Sequence, residues 1–402
     1  MKRVLNLPKG PKQSLFLEYL NSELGKRIKQ AHSHVDANAD GSFTSIVDST
    51  FNENHGDLEL RWSFQTSADG TLTELQVLST SVKGSADGTW EAASRDIIDS
   101  ALRDAFIENR ARRCQRQVLY YVGPHLDGEY WFGKTRVAPA DPNDEHPAAF
   151  NLERTITLDF EVDAIDDRDA MYLASETTRR LAARFSLLLD VDLYEMPTEH
   201  AWVMSGLGTE SIRRQRGVLT IPRLDRLPKK GETCPAGSVG ESISNFGRMV
   251  GTLKVPPETR KILRSIGALP EPISAAFDGA ARMYQIGLSL AARFPTAALA
   301  YRVAAIDALQ QIEPDCNGFS AFMRKYSPIG ASNPQLLDYL HGDVRSSHFH
   351  AGKFDLGEFS IQRHMDIVYM PDKAARAHQR YMGFEATRQA IANWMLSIAA
   401  AN

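Results

Sequence analysis

The N-terminal half of the chain changes its apolar period from segment to segment. Leu58, Leu60, Trp62 and Phe64 alternate with polar residues, the period of a half-buried strand. Asp69-Gly70 supplies a hairpin turn, and Leu75 and Val77 begin the apolar face of the return strand. Thr89 is placed to cap a helix in which Trp90, Ala93, Ile97, Ala101 and Leu102 share one side. Val118 to Val122 and Tyr130 to Phe132 read as a second hairpin. Ile156, Leu158, Phe160 and Val162 alternate again, a helix from about Arg168 to Leu189 follows, and Val191 to Tyr194 returns as a short strand. The pattern predicts an α+β region over residues 1–221, a sensor or substrate-recognition part of no family visible in its residues.

From 222 to 272 the periodicity lapses. Pro222, Pro228, Pro235, Pro256, Pro257, Pro270 and Pro272 punctuate the stretch, with glycines between them, so a loosely ordered connector and a domain boundary are expected here. Beyond it, over 273–402, the period is helical. Phe277, Ala280, Tyr284, Leu288 and Ala291 mark one stripe, and Leu299, Val303, Ile306 and Leu309 the next. Asn333-Pro334 is a capping residue followed by proline at the first helical position, leading into Leu336, Leu337, Leu340 and Val344. Phe384, Thr387, Ile391, Trp394 and Ile398 mark a last amphipathic helix. Such helices on short links predict an all-α bundle.

Composition adds exclusions. A net charge of -4 gives no global nucleic-acid signal, so any RNA contact requires a local basic patch. Cys114, Cys234 and Cys316 lie far apart and form no CxxC pair, which argues against a disulfide framework or zinc knuckle and for a reducing cytoplasm. Lys2 and Arg3 are followed by Pro8, Gly10 and Pro11 rather than an apolar run, so no signal peptide is read, and no stretch of about 18 apolar residues predicts a membrane span.

The chemistry concentrates in one stretch. Arg345-Ser-Ser-His-Phe-His350 places a histidine five residues after an arginine. Leu336-Leu337-Asp338-Tyr339-Leu340 leads into it and Ala351-Gly352 follows. Upstream stands Ala304-Ala305-Ile306-Asp307-Ala308-Leu309, and downstream Arg388-Gln-Ala-Ile-Ala-Asn-Trp394. Together these resemble the RxxxxH motif and flanking helices of HEPN domains of the Apea-like type, over roughly residues 273 to 400. Asp307 stands where that family usually has Glu, Ser346 where Asn, Asp or His is common, and Gly352 one position later than usual.

The resemblance implies an α+β N-terminal region followed by an all-α HEPN helical bundle. It implies a metal-independent endoribonuclease acting on transfer RNA or messenger RNA, in a toxin, stress or anti-phage defence role, as a homodimer that pairs two copies of the motif across a cleft. An activating ligand or phage protein is the expected partner of the N-terminal region, and no membrane is involved. The alternative is a non-catalytic HEPN module that binds nucleotide or RNA, or that dimerises, attached to a sensor.

Residue chemistry suits the catalytic reading. The 2′-hydroxyl of RNA attacks the adjacent phosphate if one group takes its proton, another protonates the leaving oxygen, and positive charge steadies the phosphorane. Histidine serves either proton role, and arginine grips phosphate oxygens with two parallel bonds. Arg345 and His350 are therefore the candidate catalytic residues, with Ser346, His348, His341 and Asp307 as accessories. Five residues on a straight α-helix turn about 140°, so distortion between Gly342 and Gly352 is needed if the two are to share a face. The bland alternative pairs Arg345 with Asp338 or Asp343 and satisfies His350 inside a bundle. His341, His348, His350 and Asp338 are conceivable metal ligands, but Arg345 in their midst repels a cation, so neither metal nor cofactor is expected. His32 and His34 lie in a polar stretch and read as solvated.

Two basic clusters could track an RNA backbone: Arg213, Arg214, Arg216, Arg223, Arg226, Lys229 and Lys230, and Arg110, Arg112, Arg113 and Arg116. Tyr120, Tyr121, Tyr130, Trp131 and Phe132, near the second cluster, could stack on bases or fill a core. A charge run is most often a solvated face.

Overall fold

The computed structural model describes residues 1–7, 9–53, 56–80, 89–107, 110–140, 153–195, 224–245, 251–291, 293–354, 358 and 371–401. Packing gathers the chain into two units, one from Met1–Arg113 with Val162–Leu173, the other from Cys114–Glu161 with Ala174–Asn402. The division is interleaved, and so differs from the linear order 1–221, 222–272 and 273–402. Among the described residues no helix is long and apolar enough to cross a membrane.

The first unit is a five-stranded antiparallel sheet in the order β1-β5-β4-β3-β2. Its strands are β1 (Lys2–Leu7), β2 (Ile28–Ala37), β3 (Phe43–Glu53), β4 (Gly56–Thr66) and β5 (Leu72–Ser79). The Asp69-Gly70 turn joins β4 to β5 as expected, pairing Trp62 with Val77 and Phe64 with Leu75. Two helices, α1 (Pro11–Gly25) and α2 (Thr89–Ile107), bring Phe16, Leu20, Ile97, Ile98 and Ala101 into one core with Leu60, Trp62, Leu75 and Val77. β1, α1, β2 and β3 carry weak signals in the sequence. β2 is exposed after its first residue and is held by its backbone ladder with β3 rather than by an apolar face. His32 and His34 sit exposed on it, as expected.

The second unit holds a four-stranded sheet in the order β6-β9-β8-β7, from β6 (Ala111–Val122), β7 (Tyr130–Phe132), β8 (Thr135–Pro139) and β9 (Glu153–Ala164). The expected hairpin between Val118–Val122 and Tyr130–Phe132 does not form. Those strands lie at opposite edges, and β7 instead turns directly into β8 through Gly133-Lys134. Gly133 has φ 62°, the left-handed conformation that a two-residue hairpin turn demands. Helix α3 (Asp167–Leu189) matches the expected span, whereas Val191–Tyr194 reduces to one bridge between Tyr194 and Tyr120.

The expected loose connector is packed over its described residues. Leu126 bridges Leu253, Glu129 bridges Ala236, and helix α4 (Thr259–Gly267) buries Ile262 and Ile266. Prolines break its periodicity, yet Cys234, Ile243, Leu253 and Val255 are still buried. Then come α5 (Glu271–Leu290), α6 (Pro295–Gln310), α7 (Phe319–Tyr326), α8 (Pro328–Ser332) and α9 (Pro334–Asp338). A π-helical segment (Tyr339–Ser346) leads into α10 (Ser347–Ala351), and the long α11 (Pro371–Ala401) closes the chain. Phe277, Tyr284, Leu299, Val303, Ile306, Ile391 and Trp394 form the helical core. Gly383 permits a close crossing, since a Cβ there would stand 2.8 Å from Leu340 Cδ2 and 3.1 Å from a Leu299 methyl.

Candidate functional site

The Arg345–His350 stretch runs across a change of winding. Asn333 accepts a hydrogen bond from the Leu336 N–H and starts α9, as its sequence position predicts. Leu336, Leu337, Leu340 and Val344 then stay buried through the π-helical segment, so the wider turn keeps one apolar face against the core. Ser347 closes that segment by donating its N–H to the Gly342 carbonyl, five residues back, and its hydroxyl bonds the same oxygen at 3.2 Å. The straight α-helix assumed for the 140° argument is therefore absent. Gly352, at φ 63°, ends α10 in the left-handed conformation usual after a helix.

Arg345 does not pair with Asp338 or Asp343. Its Nε stands 3.1 Å from Asp307 Oδ2 on α6, an ion pair without the alignment of a hydrogen bond. The Arg345 side chain is about one-third exposed and Asp307 less so. The terminal guanidinium nitrogens make no hydrogen bond among the described residues. Burial pushes the Asp307 carboxyl above its ordinary value of 3.8, while Arg345 and His341 pull it back. Asp307 is thus the counter-charge of Arg345.

Of the three histidines only His341 acts on this pair, and no contact joins His348 or His350 to Arg345 or Asp307 among the described residues. His341 is exposed and stacks on Phe319 at 5.3 Å. His348 is half-buried, packs against Phe349 and Phe354, and places Nδ1 3.2 Å from the Lys353 carbonyl oxygen. Phe349 meets Tyr301 of α6 edge to face at 5.6 Å, pinning α10. His350 is exposed at the end of α10, with no hydrogen bond or ion pair among the described residues, rather than satisfied inside the bundle. Ser346 is half-buried and continues the helix without capping α10. Glu358 bonds the Thr296 N–H at 2.5 Å and its hydroxyl at 2.9 Å, returning the chain to the start of α6.

The basic clusters fare differently. Arg213, Arg214, Arg216 and Arg223 lie outside the described residues. Arg226 is engaged by Glu232, at 2.8 and 3.0 Å, and only Lys229 and Lys230 remain as exposed cations without an ion pair among the described residues. In the second cluster every arginine faces a carboxylate: Arg110 Glu18, Arg112 Asp163, Arg113 Asp167 and Arg116 Asp159. Tyr120, Tyr121 and Tyr130 are buried, so they belong to the core rather than to a stacking surface.

Two buried polar clusters escaped sequence reasoning. Arg136 donates to Glu129 at 2.7 Å and Asp159 at 2.8 Å, and Arg116 grips the same Asp159. Asp190, at φ 54° beyond α3, accepts from the Tyr284 hydroxyl and faces Arg302 at 3.7 Å and Arg388 at 3.9 Å. The available signal was an arginine on an otherwise apolar stripe, as with Arg302 beside Leu299, Val303 and Ile306. Among the described residues, no three His, Cys, Asp or Glu gather as metal ligands. No protein-family model matches the chain, and no curated protein or solved structure matches it.

Proposed function

We propose that the helical part is a metal-independent endoribonuclease of the HEPN kind, with Arg345 and His350 as its catalytic residues. One observation carries the proposal: the RxxxxH stretch begins on a π-helical turn, and Arg345 there is anchored through Nε while its terminal nitrogens make no hydrogen bond among the described residues. π-helical turns recur at functional sites because they cost helix stability and re-aim side chains. A guanidinium held from one side presents its other donors as a fork matched to phosphate.

In the proposed reaction the 2′-oxygen bonds to phosphorus and the bond from phosphorus to the 5′-oxygen breaks. His350 accepts the 2′-hydroxyl proton. A second proton carrier, His350 of a second copy, protonates the departing 5′-oxygen, leaving a 2′,3′-cyclic phosphate and a 5′-hydroxyl. Arg345 balances charge on the phosphorane; removing such a donor costs roughly two to three orders of magnitude in rate.

The exposed His350, with no orienting partner among the described residues, favours the second reading of a non-catalytic HEPN module that binds nucleotide or RNA, or dimerises. Incubating the full chain with mixed transfer and messenger RNA in EDTA separates the two. Cyclic-phosphate ends support the ribonuclease. RNA retention without cleavage supports the binding module, and 3′-hydroxyl ends indicate another enzyme class.

A further inference from the structure

The first unit contains a cavity of about 880 Å³ between α1 and the face of β2, β3 and β4. Its volume falls in the range of small-molecule sites, and its lining is mixed as such sites are. Leu17 and Leu24 form the helical wall, and Phe43, Val47 and Phe64 the floor. Leu17 and Phe43 each keep 37% of their surface exposed, so this apolar surface is not closed by the unit's own core.

The charges at this cavity are of one sign. Lys9, Lys29 and Arg168 line it, and no Asp or Glu is among the lining residues described. The acids adjacent to Arg168 in sequence are engaged elsewhere. Asp167 pairs with Arg113, Asp169 accepts the Ile165 N–H at 2.9 Å, and Asp166 accepts from the Ser22 hydroxyl. Arg168 lies against Gly25, its guanidinium 5.9 Å from the Tyr172 ring centroid, and it makes no ion pair among the described residues. At the other end Lys9 lies against Gly70. An apolar trough rimmed by cations selects a ligand with an apolar body and an anionic head.

We propose that this cavity binds a free amphipathic carboxylate, a medium- to long-chain fatty acid in its simplest form, with the head group on Arg168 and the chain between α1 and the sheet. This gives the ligand recognition expected of the N-terminal region a place and a chemistry. The binding is measured without RNA, so its failure leaves the ribonuclease proposal standing.

The test is calorimetric titration of the full chain with dodecanoate below its aggregation concentration, alongside dodecanol, acetate and anionic phospholipid vesicles. Saturable 1:1 binding of dodecanoate is expected, with dodecanol weaker by about tenfold, the scale of a charge-assisted bond, and acetate silent. Arg168→Gln should weaken dodecanoate by about tenfold, leave dodecanol unchanged and be rescued by Arg168→Lys. Leu17→Glu, at a half-exposed position that leaves the core intact, should abolish both. Absence of dodecanoate binding, or binding indifferent to Arg168→Gln, overturns the site. Capture of vesicles without binding of the free acid overturns it in favour of a membrane surface.

Discussion

A side chain's role depends on what stands beside it, and here the decisive neighbours are distant in sequence. The proposed pairing of Arg345 with His350 rests on their spacing in the chain. That Asp307, 38 residues earlier, anchors Arg345 is a consequence of packing α6 against the π-helical segment. Arg226 shows the opposite case, where a residue legible as a cation in a basic run is bound to Glu232. Hydrogen bonds from Arg226 and from the Lys229 N–H hold the Glu232 carboxyl down to about 2, against an ordinary 4.5. A depressed carboxylate contributes its stabilisation above its ordinary value and loses it as pH falls through the folded value. In an NMR titration Glu232 should therefore stay ionised until about pH 2, and Arg226→Ala should return it toward 4.5. A wild-type midpoint near 4.5 would mean the pair does not persist in solution.

Elements were legible where their periodicity was undiluted. β4, β5, β9 and α3 carry clear alternation or helical stripes and lie within a few residues of their expected places, because one face of each is buried. β2 was opaque because it buries almost nothing, and β7 was mispaired because a two-residue turn to β8 outcompetes the longer link to β6. The buried polar clusters tie these elements together. Burial opposes ionisation of Glu129, but Arg136, the Gly231 N–H and Trp131 hold its carboxyl below the ordinary value. Wild type should then lose stability as pH falls through the depressed Glu129 value. Glu129→Gln should cost about 3 kcal/mol at pH 7 and flatten the acid limb of the curve. An unchanged acid limb by chemical denaturation would remove Glu129 as its source. Asp190→Asn keeps the shape and tolerates the left-handed backbone, yet strips the counter-charge from Arg302 and Arg388. A loss of about 3 kcal/mol is expected, and equal unfolding midpoints in mutant and wild type would contradict it.

At the scale of the whole molecule, a boundary drawn along the sequence and one drawn by packing need not coincide. The helices after residue 272 do not form a closed body of their own. Asp278 of α5 is bound by Arg184 of α3 at 2.6 and 2.9 Å, Gln285 bonds the Leu193 carbonyl, and α4 packs against α11. A fragment of residues 273–402 alone should be protease-sensitive and show little cooperative melting by circular dichroism. A sharp transition matching the full chain would restore the linear boundary. What the assembled molecule does is decided by RNA cleavage in EDTA with wild type, Arg345→Ala and His350→Ala at matched folded concentration. Neither change opens an apolar cavity, but Arg345→Ala strips the counter-charge from Asp307 and should lower the melting point, which is why rates are compared at matched folded concentration. Wild type should yield 2′,3′-cyclic phosphate ends, and each variant should lose at least about a hundredfold in rate. Full activity in either variant, or no cleavage by wild type, would contradict the proposed ribonuclease.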